Sequence, residues 1–395
     1  MKILFSITYY CPYVSGLSIA VKRLAEALVK RGFKPTVLCM QHEKILKPEE
    51  RTKGVRIMRA RPWLAASKGF LSWEFVRLAW QLVKETETVV VNLPQLEGLI
   101  PALLAKIFGK RLIAIYHCEV VLPEGFINTI IQSFLEISNF LTLLMADQVV
   151  TYTGDFAKHS KLLKSLKELK KDQKILTVYP PIPAPRISLA VRKRLKEEIG
   201  EADILIGVAA RLAAEKGLEY LFEATTLLKF KIQHSTFKIA VAGPKEPVGE
   251  EAYKQKIIKL AKKYKKQTVF LGSLPEEEMG AFYSLIDVLV LPSVNSTEAF
   301  GMVQVEAMYG GVPAVVSNLP GVRVPVAKTG MGIIVEPKNS QAIAEAISEV
   351  IKHKERYVKD KDVIAGEFSL AKTLDFYAKL FSSPEKSSKA SICLR

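Results

Sequence analysis

Ser296-Thr297-Glu298-Ala299-Phe300-Gly301-Met302-Val303-Gln304-Val305-Glu306 carries two carboxylates seven residues apart, with a glycine between them. Just upstream, Asp287-Val288-Leu289-Val290-Leu291-Pro292-Ser293 has the continuous apolar run of a buried strand entering a loop. The stretch therefore predicts strand, loop and helix N-terminus, with Glu298 before the helix and Glu306 roughly one and a half turns into it. A helix start offers unpaired N–H groups and a partial positive charge, which suit a phosphate. Carboxylates on either side can accept hydrogen bonds from hydroxyls, such as those of a sugar and a ribose.

Working outward, two series of alternating apolar strands and amphipathic helices are legible. The first runs from Lys2–Phe5 through Pro35–Cys39, Val89–Asn92, Arg111–Tyr116 and Gln148–Thr151. The second begins at Ile204–Ala209 and continues through Phe237–Gly243, Thr268–Gly272, Val288–Leu291, Pro313–Val316 and Ile333–Val335. This is an α/β pattern of two doubly wound parallel sheets, each covered on both faces. Between the series, Tyr179-Pro180-Pro181-Ile182-Pro183-Ala184-Pro185 reads as a stiff extended connector. The expected domains are 1–179, a linker at 180–186 and a second domain at 187–358. Residues 359–381 are expected to pack back on the first domain as helices, and 382–395 to form a flexible tail. Ligand loops in such sheets follow the carboxyl ends of the strands, so the two domains would face each other across a cleft.

Composition narrows the classes. The 395 residues suffice for two domains, and 49% apolar with 25% charged residues is ordinary globular usage. Four scattered cysteines without CxxC spacing suggest neither zinc nor a disulfide framework, and fit a reducing cytoplasm. The N-terminus has no export signal and no run reaches the length of a membrane span, so a cytoplasmic location is expected. The net charge of +17 comes largely from two Lys-rich blocks, Lys158 to Lys171 and Lys254 to Lys266. Their three- and four-residue spacing fits either a solvated helix face or an anionic lipid surface. No base-reading or stacking module accompanies them, so nucleic acid is not an expected partner.

The Glu298-to-Glu306 stretch resembles the Glu-x7-Glu motif of retaining glycosyltransferases of family 4, which have the GT-B fold. The resemblance extends over nearly the whole chain. It implies that Glu298 contacts hydroxyls of a donor sugar and Glu306 those of the ribose. Backbone N–H groups near Phe300, Gly301 and Met302 would meet the diphosphate. Arg211-Leu-Ala-Ala-Glu-Lys216-Gly217, after the first strand of the second series, is similar to the family's Arg-x4-Lys-Gly signature. Two cations there can stabilise a departing nucleoside diphosphate, Arg211 bidentately and Lys216 as a point charge. The first βα loop ends in Gly16-Leu17, where the family has a Gly-Gly pair; Gly16 can still allow close backbone approach. His117, at the end of Tyr116-His117, matches the family's active-site histidine and is expected to position substrate. Gly272 and Leu274 lie on the edge that the family uses to bind the base. Asp360-Lys361-Asp362 follows no strand and is not expected to hold a metal.

Together these readings imply a hexosyltransferase that uses a nucleotide-diphosphate sugar as co-substrate, with no cofactor and no metal. Its acceptor would be a glycan or a lipid-linked acceptor. No carboxylate is placed as a nucleophile, so the resemblance implies front-face displacement with retention. Trp63, Trp73 and Trp80 share a segment with Arg59, Arg61, Lys68 and Arg77. Residues 126–145 form a long apolar helix candidate with few charges. Trp with basic residues suits a membrane interface, and core-facing helices are the alternative. An anionic membrane surface, such as the inner face of the cell membrane, is therefore a possible partner. A nucleotide-sugar epimerase on the same fold, or a non-catalytic membrane-surface module, are the rival functions.

Overall fold

The structure, a computed structural model, describes residues 1–66, 69–122, 125–170, 175–231, 235–245, 250–264 and 267–383. All but the first two residues of the expected tail lie outside this set, as do Lys68, Lys171, Lys265 and Lys266 of the basic segments. The first domain contributes β1 (Lys2–Ser6), β2 (Lys34–Met40), β3 (Glu49–Thr52), β4 (Val55–Ala60), β5 (Leu64–Ala66), β6 (Gly69–Leu71), β7 (Thr88–Leu93), β8 (Arg111–Tyr116), β9 (Gln148–Thr151) and β10 (Ile175–Thr177). Eight of these form one sheet in the order β10-β9-β8-β7-β1-β2-β4-β3, parallel except for the edge pair β3–β4. β5 and β6 make a separate hairpin.

The two-residue period of a strand divides its side chains between the faces. Ile3 and Phe5 of β1 join helix α1 (Gly16–Val29) and the Leu370–Ser382 helix in one core. Leu4 joins the other core, with α2 (Trp73–Glu85), α3 (Leu99–Ile107), α4 (Phe126–Met145), α5 (Gly154–His159) and α6 (Lys161–Leu169).

The second domain has β11 (Ile204–Ala209), β12 (Phe237–Ala242), β13 (Thr268–Gly272), β14 (Val288–Leu291), β15 (Ala314–Ser317) and β16 (Gly332–Val335). They form an all-parallel sheet in the order β13-β12-β11-β14-β15-β16. That is the doubly wound order, with the chain reversing its direction of travel between β11 and β14.

The chain passes between the domains twice. Ile182 of the Pro-rich linker is fully buried against the second domain. The expectation for 359–381 needs correction in its first part. The Lys361–Glu367 helix packs on the second domain through Ile364, and only the Leu370–Ser382 helix returns to the first. The reason is local: Ile364 and Phe368 are drawn to the apolar cluster around Phe300 and Met308, whereas Tyr377, Leu380 and Phe381 meet Phe5 and Phe33.

Candidate active site

Strand order selects where a ligand can sit. In the second sheet the switch lies between β11 and β14, which pair through Ile206↔Val288 and Gly207↔Leu289. Arg211 and Lys216 follow β11, and residues 292–301 follow β14, so one crevice receives both motifs. The first sheet switches between β1 and β7. The loop before Gly16 follows β1, and Gln95 and Glu97 follow β7.

The two motifs touch. Lys216 Nζ lies 2.7 Å from Glu298 Oε2, and Glu298 Oε1 accepts the Gly301 N–H at 2.9 Å. One carboxylate thus ties the lysine to the start of the Met302–Tyr309 helix. Arg211 donates to Glu215 at 2.5 Å and reaches the Tyr13 hydroxyl of the first domain at 3.4 Å. Gly301 has φ of +73°, and a Cβ there would come within 2.4 Å of Leu291 Cδ2 and 2.8 Å of Gln304 Nε2. Only glycine fits that turn. Across the cleft, a Cβ built on Gly16 would lie 3.9 Å from Met302 Cε. Two helix N-termini, those of α1 and of Met302–Tyr309, therefore open on the same gap, beside two cations. Such an arrangement suits a multiply charged anion.

Glu306 is held differently. Its Oε2 accepts the Tyr283 hydroxyl at 2.7 Å, and its Oε1 lies 2.8 Å from Arg23 Nη1 of the first domain. Arg23 also donates through Nε to Glu276 at 2.6 Å, and Lys22 reaches the same carboxylate at 2.9 Å. Neither Arg23 nor Glu276 stands out in the sequence. Arg23 sits on α1 between the buried Val21 and Leu24, and that charged interruption of an apolar stretch is its only signal.

His117 is buried with both ring nitrogens engaged. Nε2 is 2.9 Å from Asn92 Oδ1, whose amide nitrogen donates to the Ser6 carbonyl, so Nε2 carries the proton. Nδ1 is 2.5 Å from the Tyr152 hydroxyl, which donates to it. Burial pushes the imidazole down to about 3, so it is neutral at physiological pH. The substrate-positioning role expected of His117 therefore has no free ring nitrogen in this conformation. Burial pushes the neighbouring Cys118 thiol up to about 12, which suits a packing residue.

Gly272 and Leu274 lie at the end of the edge strand β13, two places from β11. Space is open beside Gly272, and Leu274 packs half-buried on the core of the second domain. Among the described residues, no hydrogen bond joins either to the Lys216–Glu298 cluster. Asp360 and Asp362 are exposed. Among the described residues no group of three or more His, Cys, Asp or Glu is placed to hold a metal.

Arg323, for which the sequence offers no role, grips Asp155 of the first domain bidentately, at 2.9 and 2.7 Å. The Gly321 N–H adds a third bond to the same carboxylate at 2.9 Å. Glu119, two residues after His117, accepts from Ser296 Oγ at 2.7 Å. Such long-range pairs leave no sequence periodicity.

Profiles of known families match both halves of the chain. That of the glycosyl transferases group 1 matches residues 192–362, and that of glycosyltransferase family 4 matches residues 14–182. An uncharacterized glycosyltransferase of Methanocaldococcus jannaschii is 27% identical over 371 residues, covering 89% of each chain. The 2-deoxystreptamine glucosyltransferase of Streptomyces kanamyceticus is 26% identical over 359 residues, covering 85% of this chain and 89% of that one. The solved structure of Anabaena HepE in complex with UDP and glucose superposes with a TM-score of 0.75 at 18% identity, covering 97% of this chain and 100% of that one. With both domains matched and the double crevice in place, the chain belongs to the group 1 and family 4 glycosyltransferases of the GT-B fold.

Proposed function

We propose that this transferase moves a hexose-type sugar from a nucleoside-diphosphate sugar to a hydroxyl of a glycan or lipid-linked acceptor, with retention of configuration. The observation that carries the reading is the Glu298 carboxylate bridging Lys216 and the Gly301 N–H, opposite Gly16. A diphosphate seated between the two helix starts would meet Lys216, Arg211 and backbone N–H groups. Charge building on the leaving diphosphate would then be stabilised by groups already in place. The neighbouring Glu298 and Glu306 would accept hydrogen bonds from sugar and ribose hydroxyls. The named ligands of the Anabaena structure and the named activity of the Streptomyces relative support this donor class.

Glu215, Glu298, Glu276 and Glu306 are each engaged by a cation. This favours front-face displacement, in which the leaving diphosphate takes the acceptor's proton. The reaction is metal-independent on this reading, because Arg211, Lys216 and two helix N-termini supply the charge.

A thermal-shift panel of nucleotide-sugars identifies the donor, since binding to the native state raises its melting midpoint. Proton NMR of the product's anomeric signal then reads the stereochemistry, and assay in EDTA reads the metal requirement. No stabilisation by any nucleotide-sugar would overturn the donor class; inversion or EDTA-sensitive turnover would overturn the mechanism. An epimerase would convert nucleotide-sugar with no acceptor present.

A further inference from the structure

The outer faces of α2, α3 and α4 form a surface that the catalytic reading leaves unused. α4 is about 30 Å long. Phe126, Ile130, Phe134, Ile137 and Leu141 are exposed along its outer side at three- and four-residue spacing, with Phe134 63% exposed. α3 packs beside it and exposes Leu103 and Ile107. α2 packs beside α3 and exposes Trp73, Val76 and Trp80, with Trp73 78% exposed. Single exposed apolar residues are ordinary, but rows on three adjacent helices are not. The inner side of α4 is already spent on the domain core, through Leu143, Thr142 and Asn139. No described helix is long and apolar enough to cross a membrane.

The charges on either side of these rows indicate what covers them. α6 packs against α4, and Lys158, Lys161, Lys164 and Lys167 of α5 and α6 are exposed there. On the other flank α2 exposes Arg77, which lies 3.5 Å from Glu74 of the same helix, and Lys84, which sits over the Trp80 ring at 5.0 Å. α4 itself carries one charged residue, Glu136. An apolar strip bordered by cations, with Trp at its edge, matches the layering of an anionic bilayer. A second copy of this chain docked by two-fold symmetry would bring cationic borders together. The other Lys-rich block behaves differently: Lys256 and Lys259 sit on the solvent face of the Glu251–Lys263 helix in the second domain. Arg59, grouped by sequence with the tryptophans, is buried and bonded to Glu50 and the Cys11 carbonyl, so it takes no part.

Segments that adjoin the strip along the chain touch the cleft at two points. Phe70 of the β5–β6 hairpin contacts the Tyr9 ring, in the loop after β1, at 5.3 Å. α4 begins a few residues after Glu119, which touches Ser296 of the second domain. The geometry points to the α2–α3–α4 face as a docking surface for an anionic lipid bilayer, holding the acceptor side of the cleft at the headgroups. The docking itself is independent of the chemistry, whereas its purpose, access to a lipid-borne acceptor, rests on the transferase reading.

Vesicle flotation tests it, using phosphatidylcholine alone or with roughly a third phosphatidylglycerol. The full chain floats with the anionic vesicles and releases as salt rises. Phe134→Ser with Ile137→Ser, and separately Lys164→Glu with Lys167→Glu, each reduce binding by about tenfold or more. All four positions are exposed, so melting midpoints and nucleotide-sugar thermal shifts stay at wild-type values. Failure of the wild-type chain to float, or unchanged flotation of both double variants, overturns the docking surface. So does a dimer in light scattering that the Phe134/Ile137 variant abolishes without any vesicle binding. Absence of any nucleotide-sugar shift in the wild-type chain would instead overturn the donor class, leaving the surface to be judged by flotation alone.

Discussion

Arg23 of the first domain lies 2.8 Å from Glu306 of the second, with side chains only 11% and 7% exposed. The carboxylate expected to receive the ribose is therefore already occupied by a cation from the opposite domain. Glu276 draws Arg23 and Lys22 into the same cluster. On the proposed function, donor recognition and the contact between domains share one group.

Arg23→Ala leaves Glu306 buried without its cation, and removing one partner of a buried pair costs about 3–5 kcal/mol. Opening of the cleft relieves that cost by hydrating the carboxylate. The expected outcome is a lower melting midpoint and a larger radius of gyration in small-angle scattering. An unchanged radius would show that the pair does not hold the domains together.

Lys216→Ala and Arg211→Ala are expected to lower kcat by about 100-fold, the scale for losing one preorganised charge-stabilising group. Glu306→Ala is expected to raise the donor KM instead, because Glu306 is the carboxylate proposed to meet the ribose rather than the phosphates. Steady-state kinetics with varied donor separates the two effects.

Gly301→Ala places a methyl group against Leu291 and Gln304 in a backbone region unsuited to L residues. Destabilisation of about 1–3 kcal/mol is expected. Nucleotide-sugar binding falls as well, since the Gly301 N–H shifts from Glu298. Denaturant melts and thermal shifts report the two losses separately.

Two groups that contribute to the acid limb of stability are Asp155 and His117. Partial burial raises the Asp155 carboxyl, but bonds from Arg323 and the Gly321 N–H outweigh it and hold it below the usual range. Its contribution is present above the unfolded value of about 4 and is lost as pH falls through the lower folded value. Arg323→Ala should cost about 1 kcal/mol or less, because the pair is partly exposed, with the difference closing in acid. His117 is likewise pushed down, by burial alone, to about 3. The unfolded chain takes up its proton from about pH 6.5, so stability declines progressively from there toward pH 3. Melting curves across pH for the wild-type chain and for Arg323→Ala check both.

The parallel sheets, the second-domain crevice and the Arg211–Lys216–Glu298–Gly301 set were legible because each is local. A buried strand shows as an apolar run, and a strand-end loop lies a few residues beyond it. Arg23, Glu276, Asp155 and Arg323 were not legible as site or interface residues. They meet partners 168 to 283 positions away, and a lone charge on a helix reads the same whether solvated or paired. His117 was found by its strand-end position, but its two hydrogen bonds depend on Asn92 and Tyr152, which come from two other strand ends.

The sequence by itself determined the fold class, the central strands of both sheets and the short-range motif carrying Arg211, Lys216 and Glu298, since these follow from periodicity and local chemistry. Only the tertiary structure decided which charges are already satisfied and which apolar residues face outward. Both depend on which distant segments pack together. Glu306 became a cross-domain partner because Arg23 reaches it, and Phe134 became surface because Leu143 and its neighbours fill the core side of the same helix.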